Sequence, residues 1–191
     1  MKKIFLVSLV LLAVVAACSD FDTRDDDLQT KAGASRFVDE LMQDFRDGKI
    51  GSFRCPDVKW SHIPALLEYG KSTTIVGEVP YTSDRAWAIP ASPLSSFMMF
   101  QCSEGMFALW MAEAARIHTL NPLASGINGW PSQNPFVQLM NGENEVPSWY
   151  VNDPQVQQVV LDAYVKWWKS ADGNKTAAKT DPLEGTGYCW H

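Results

Sequence analysis

Residues 102–118 read CSEGMFALWMAEAARIH, and this stretch decides how the rest of the chain is organised. At 3.6 residues per turn, Met106, Phe107, Leu109, Trp110, Met111 and Ile117 cover most of the circumference of a helix. A helix with no polar face belongs inside a core. Ser103 is placed to cap its first turn, and Glu104 lies at the positive end of its dipole. Glu113 and Arg116 stand three residues apart, within reach of each other on the helix surface. Charges that enter a core normally do so paired, so the two are expected as a structural ion pair. The competing reading is a carboxylate poised in a cleft.

Outward from this helix, a polar residue followed by proline recurs as Ser92-Pro93, Asn121-Pro122, Asn134-Pro135 and Asp153-Pro154. The polar side chain suits an N-cap and the proline presets φ at the first helical position, so each pair predicts a helix start. After Asp153, the residues Val156, Val159, Val160, Ala163, Tyr164, Trp167 and Trp168 recur at spacings of three and four, up to Gly173. That is one wide apolar face. Phe37, Val38, Leu41, Met42 and Phe45 form a similar stripe ending at Gly48, and a shorter helix is expected from Ser61 to Gly70, with Pro64 tolerated in its first turn. The run TTIVGEV (73–79) is the one β-like stretch, at most a lone short strand. The expected class is all-α or nearly so. It consists of a single compact domain over 33–172, with short helices around a buried central helix at about 103–118, and a tail over 173–191 that packs loosely or is disulfide-linked.

The N-terminal region has a different character. Lys2 and Lys3 precede an apolar or small stretch, 4–17, which is shorter than the roughly 20 residues a membrane-spanning helix needs. Val15, Ala16 and Ala17 run directly into Cys18, resembling the bacterial lipobox, in which the leader is cut before a cysteine that carries acyl chains such as palmitate. The expectation is a lipoprotein signal peptide over 1–17 and a lipidated Cys18. Each buried CH₂ contributes about 0.8 kcal/mol, so several chains on one residue hold the protein at a membrane effectively permanently. Residues 18–32 contain three consecutive aspartates and little apolar surface, and are expected as a flexible acidic tether. An Asp-rich run behind a lipidated cysteine also resembles the surface-export signals of Bacteroidetes-type lipoproteins, although Phe21 and Arg24 interrupt it. The expected location is the bacterial cell envelope, lipid-anchored and on the outer membrane, facing either the periplasm or the medium.

Composition narrows the activity. In 191 residues of net charge -6, eight Trp, nine Phe and five Tyr supply a real core. The acidic balance and the lack of a Lys/Arg cluster exclude nonspecific nucleic-acid binding, which needs a basic patch to release counterions. Two metal ligands on one helical face require spacings of three or four. Glu68 follows His62 by six residues and His118 follows Glu113 by five, so no metal site and no cofactor is expected. Neither a Gly-rich phosphate loop nor a G-x-S-x-G elbow occurs. Among Cys55, Cys102 and Cys189 two could pair in an exported protein, and sequence cannot say which. Trp60, Trp87, Trp130, Trp149 and Trp190 lie outside the apolar stripes. Exposed tryptophans anchor protein interfaces and stack on sugar rings, which makes Trp130, Trp149 and Trp87 the candidate binding residues; the competing reading, which the usual burial of tryptophan favours for any one of them, is that they close the edges of the core between short helices.

The blocks IPALLEYGKSTTIVGEVP (63–80), SPLSSF (92–97), CSEGMFALWMAEAARI (102–117), NPFVQLM (134–140) and AYVKWW (163–168) resemble those of a domain-of-unknown-function family of small Bacteroidetes-type lipoproteins. The resemblance covers roughly residues 55–170 and departs from the family pattern at Ser92 and Glu104. It implies a shared helical fold and a lipoprotein context, and it carries over no catalytic or binding residue. The expected function is a noncatalytic, membrane-anchored envelope module that binds a protein or glycan partner. The alternative is a small envelope hydrolase using Glu113 with His62 or His118.

Overall fold

The computed structural model describes residues 31–50, 54–76, 101–121, 129–132, 135–139, 148–150 and 153–190. Cys18, Trp87 and the Ser92-Pro93 pair lie outside them. Helix α1 (Lys31–Arg46) buries Val38, Leu41, Met42 and Phe45, begins inside the stretch expected as tether, and is followed by a turn at Gly48, where φ is +66°. A 3₁₀ turn, Trp60–His62, leads into α2 (Ile63–Tyr69), with Pro64 in the first turn where no amide hydrogen is missed. The central helix α3 (Glu104–Leu120) is buried from Glu104 to Arg116, and Ser103 Oγ accepts the Met106 amide at 3.1 Å. The last helix, α4 (Pro154–Ala171), is capped by the Asp153 carboxylate, which accepts the amides of Gln155 at 2.8 Å and Val156 at 3.4 Å.

Helix α3 is the axis of the domain: α2, α4, the Trp60–His62 turn and a further 3₁₀ turn at Lys175–Lys179 pack against it. Phe107 stacks on Phe45 of α1 with ring centres 3.9 Å apart, and Trp110 stacks on Trp130 at 4.6 Å. The approach of α3 to its neighbours is closest at Gly105. A Cβ there would lie 2.1 Å from Gln157 Nε2 of α4, 2.5 Å from the Ser72 carbonyl oxygen and 2.7 Å from that of Gly70. Those groups form a lattice of their own. Gln157 Nε2 donates to both carbonyls at 2.9 Å, and Gln157 Oε1 accepts the Ser103 hydroxyl at 2.6 Å. Beside them Glu104 takes Arg46 Nε at 2.5 Å and the Ser72 hydroxyl at 2.7 Å, so the first turns of α3 are held by α1, α4 and the segment after α2.

The structure is mostly helical but not strictly all-α. Strand β1 (Ile75–Val76) is not alone: it pairs antiparallel with β2 (Cys102–Ser103) just before α3. A second sheet has the order β4-β3-β5, with β3 (Val137–Leu139) central between β4 (Ser148–Tyr150) and β5 (Tyr188–Trp190), all antiparallel. One of the expected helix starts is corrected. Asn121 closes α3 in an extended conformation, φ -153° and ψ 96°, as the proline that follows it favours, and the helix expected from Pro122 lies outside the described residues. Pro135 leads into β3, because pairing on both edges overrides the local start signal. The tail does not pack loosely. Its Ala178 and Leu183 are core residues, and β5 is part of the sheet. Nor is it disulfide-linked, because Cys55, Cys102 and Cys189 are all free thiols. Among the described residues, no helix is long and apolar enough to cross a membrane.

Candidate functional site

Because Asp153 and Pro154 fix where α4 begins, they also fix which side chains face outward. Val156, Val160, Leu161, Tyr164, Trp167 and Ala171 enter the core. On the next strip of the helix lie Val159, Asp162, Ala163, Lys166 and Ser170, spaced by three and four. Opposite them run Thr180, Asp181, Pro182, Glu184, Gly185 and Thr186 of the tail, and the two walls enclose a groove of about 500 Å³. The floor is apolar: Val159, Ala163, Trp167 and Pro182, with Val159 left 41% exposed. Charged and hydroxyl groups form the rim.

The tail wall is held by a buried polar chain. Arg116 grips Glu113 through Nε at 2.8 Å and Nη2 at 2.6 Å, and its Nη1 donates to the Ala178 carbonyl at 2.7 Å and more weakly to that of Thr180 at 3.5 Å. The same Glu113 Oε2 accepts the Tyr164 hydroxyl at 2.6 Å, and Tyr164 Oη in turn accepts the Trp190 indole N–H at 2.8 Å. One carboxylate on α3 thus ties α4, the tail and β5 together. Burial opposes the Arg116 charge, but the hydrogen bonds and charge of Glu113 outweigh it and hold the guanidinium pKa above its usual value. Burial and the neighbouring carboxylate push the Tyr164 phenol well above the ordinary tyrosine range. Further along, Trp167 Nε1 donates to the Ala177 carbonyl at 3.0 Å, and Asp181 Oδ1 accepts the Leu183 amide at 2.8 Å, shaping the turn at the groove's edge.

The structure does not join the other candidate residues to Glu113. His62 is 1% exposed and stacks on Phe37 at 4.3 Å, and its Nδ1 accepts the Lys59 amide at 3.1 Å. Burial, and secondarily the charge of Lys59, lower its pKa to about 4. The ring nitrogens of His118 lie 2.7 Å from the Gly129 carbonyl and 3.3 Å from that of Val58. Neither histidine forms a hydrogen bond with Glu113, whose carboxylate is taken up by Arg116 and Tyr164. Trp130 is 3% exposed with one face against Trp110, so of its two readings the structure bears out the core-closing one, and its place as a candidate binding residue is corrected. Trp149 contributes its backbone to β4 opposite Gln138. Burial raises the Cys55 thiol to about 12 and the Cys102 thiol further, so both are inert. Among the described residues, no three His, Cys, Asp or Glu side chains converge as metal ligands.

Sequence reasoning placed Glu113 and Arg116 but missed Tyr164, Trp190 and the tail carbonyls that complete the chain. One signal was available. Tyr164 carries a hydroxyl on an otherwise apolar face, and a buried phenol needs a partner. No curated protein and no solved structure matches the chain. One family model does, over residues 29–191, which takes in every helix and strand of the described residues, the groove and the polar chain behind it. By that match the chain belongs to the family described as Domain of unknown function (DUF4943).

Proposed function

We propose that the protein is a noncatalytic interaction module of the bacterial cell envelope, anchored on the outer membrane through a lipidated Cys18, with the groove between α4 and the tail as the face presented to a protein or glycan partner. The groove is the observation that carries this reading: about 500 Å³ between α4 and the tail, with an apolar floor and a polar rim. The strongest carboxylate for chemistry, Glu113, supports it from the other side, because its oxygens accept three hydrogen bonds and serve to hold the groove wall. Trp87 and Trp149 enter the proposal as further aromatic contacts on the strength of the sequence alone.

The test uses the full lipidated chain in detergent, applied to a glycan array and to envelope extract, beside the variant Ser170→Trp. Ser170 is exposed on the groove wall, and its hydroxyl bonds only the Trp167 carbonyl, so an indole there fills the groove without disturbing the core. The expected result is a bound glycan or protein that the variant loses. Equal retention by both proteins, or cleavage of an offered glycan, would overturn the reading.

A further inference from the structure

We infer that the groove docks an extended segment of a protein partner that carries Lys or Arg side chains. The inference rests on the groove being the binding surface, and it names the occupant. Asp162 on the helix wall and Asp181 and Glu184 on the tail wall set three carboxylates around the opening against the single ammonium of Lys166. The negative charges flank the apolar floor from both sides, so a cation entering between the walls meets an anion on either side. Such a rim attracts basic groups and repels acidic ones, at a range set by a Debye length of about 10 Å at 0.1 M salt. The floor defines the rest of the ligand. In an extended chain, alternate side chains point to opposite faces. A segment alternating apolar and basic residues can therefore lay the apolar set on Val159, Ala163 and Pro182 and turn the basic set to the rim.

A glycan is the less fitting occupant. Sugar rings stack on an open aromatic face, whereas Trp167, the one aromatic among the described residues lining the groove, is 5% exposed and its indole N–H is committed to the Ala177 carbonyl. The rim also exposes charge rather than the planar amides that pair with sugar hydroxyls.

The experiment measures binding of two acetylated, amidated pentapeptides, Lys-Val-Lys-Val-Lys and Glu-Val-Glu-Val-Glu, together with chitohexaose, to the full chain in detergent by calorimetry. Asp162→Lys/Glu184→Lys and Ser170→Trp are measured alongside, each after its unfolding midpoint is confirmed. Asp162 and Glu184 are exposed, so their reversal leaves the core intact. The expected result is at least a tenfold preference for the basic peptide, weakened by raising salt from 50 to 500 mM. The double charge reversal should invert the preference, and Ser170→Trp should abolish binding. Equal affinity for the two peptides, or basic-peptide binding unchanged by charge reversal, would overturn the inference. Binding of chitohexaose alone, lost in Ser170→Trp, would overturn it too while leaving the groove as the binding surface. If none of the three probes binds, the inference fails, and a negative extract and array experiment is then what removes the broader reading.

Discussion

Replacing Glu113 with alanine should unfold the domain at a much lower temperature, and the size of the effect follows from its partners. The carboxylate accepts Arg116 twice, at 2.8 and 2.6 Å, and the Tyr164 hydroxyl at 2.6 Å. Its side chain is 6% exposed and that of Arg116 is 10% exposed. Removing one member of a pair this buried leaves the other charge without compensation, at a cost of about 3–5 kcal/mol. The stranded Tyr164 proton would cost about 1–3 kcal/mol alone, but it belongs to the same network and is not additive. For a domain of this size each kcal/mol shifts the midpoint by about 2–4 °C, so the loss should be roughly 6–20 °C. Circular dichroism melts of the full chain in detergent would measure it. Glu113→Gln, which keeps an acceptor for Tyr164, should fall between the two. Glu113→Leu with Arg116→Met should recover most of the loss, because an apolar pair leaves no charge stranded. A midpoint for Glu113→Ala within about 2 °C of wild type would refute the reasoning, since it would mean that water already compensates the pair.

Three further outcomes are expected. Gly105→Ala should cost at least about 2 kcal/mol, because the added Cβ would meet two backbone carbonyls as well as Gln157, and backbone cannot step aside; a denaturant midpoint equal to wild type would show that α3 can shift. His62 has a folded pKa of about 4 against an ordinary 6.5, so the unfolded chain takes up the proton first as pH falls. Stability from this source is complete above about pH 6.5 and declines toward pH 4, by at most about 3 kcal/mol. Guanidinium titrations at pH 7 and 5 should show a smaller loss in His62→Phe than in wild type, and parallel losses would count against a neutral buried ring. Trp130→Ala should lower stability by about 3–5 kcal/mol while leaving groove binding intact at temperatures where the variant is folded. The reverse pattern, unchanged stability with lost binding, would return Trp130 to the surface.

What the sequence disclosed was local. The apolar circumference of 103–118 predicts a buried helix, Asp153-Pro154 predicts the start of α4 to the residue, and the three-residue spacing of Glu113 and Arg116 puts them in reach. Each signal lies within a few turns of one helix. The features that escaped are pairings across the chain. Strand β3 has three residues, too few for a period-two pattern, and its order comes from Cys189 and Trp149 lying opposite Gln138. Asn134-Pro135 carries the same start signal as Asp153-Pro154, yet Pro135 leads into β3, because a cap is a weak preference that chain pairing outweighs. Trp130 lies outside the apolar stripes, so its sequence context does not decide between a surface and a core place; its neighbour in space, Trp110, does. The groove escaped for the same reason. Its walls are separated in sequence by the turn of the tail, and the Arg116 contact that holds them spans 62 residues to Ala178.

The proposed placement of the folded domain on a lipid tether depends most directly on what happens at Cys18. Intact-mass analysis of the protein extracted from membranes measures it in one step. The predicted result is a mature chain that begins at Cys18 and carries the added mass of its acyl chains, with Cys18→Ala yielding no acylated species and a leader left uncut or cut elsewhere. A mature chain that begins at any other residue, or an unmodified Cys18, would contradict the anchor and the envelope role built on it.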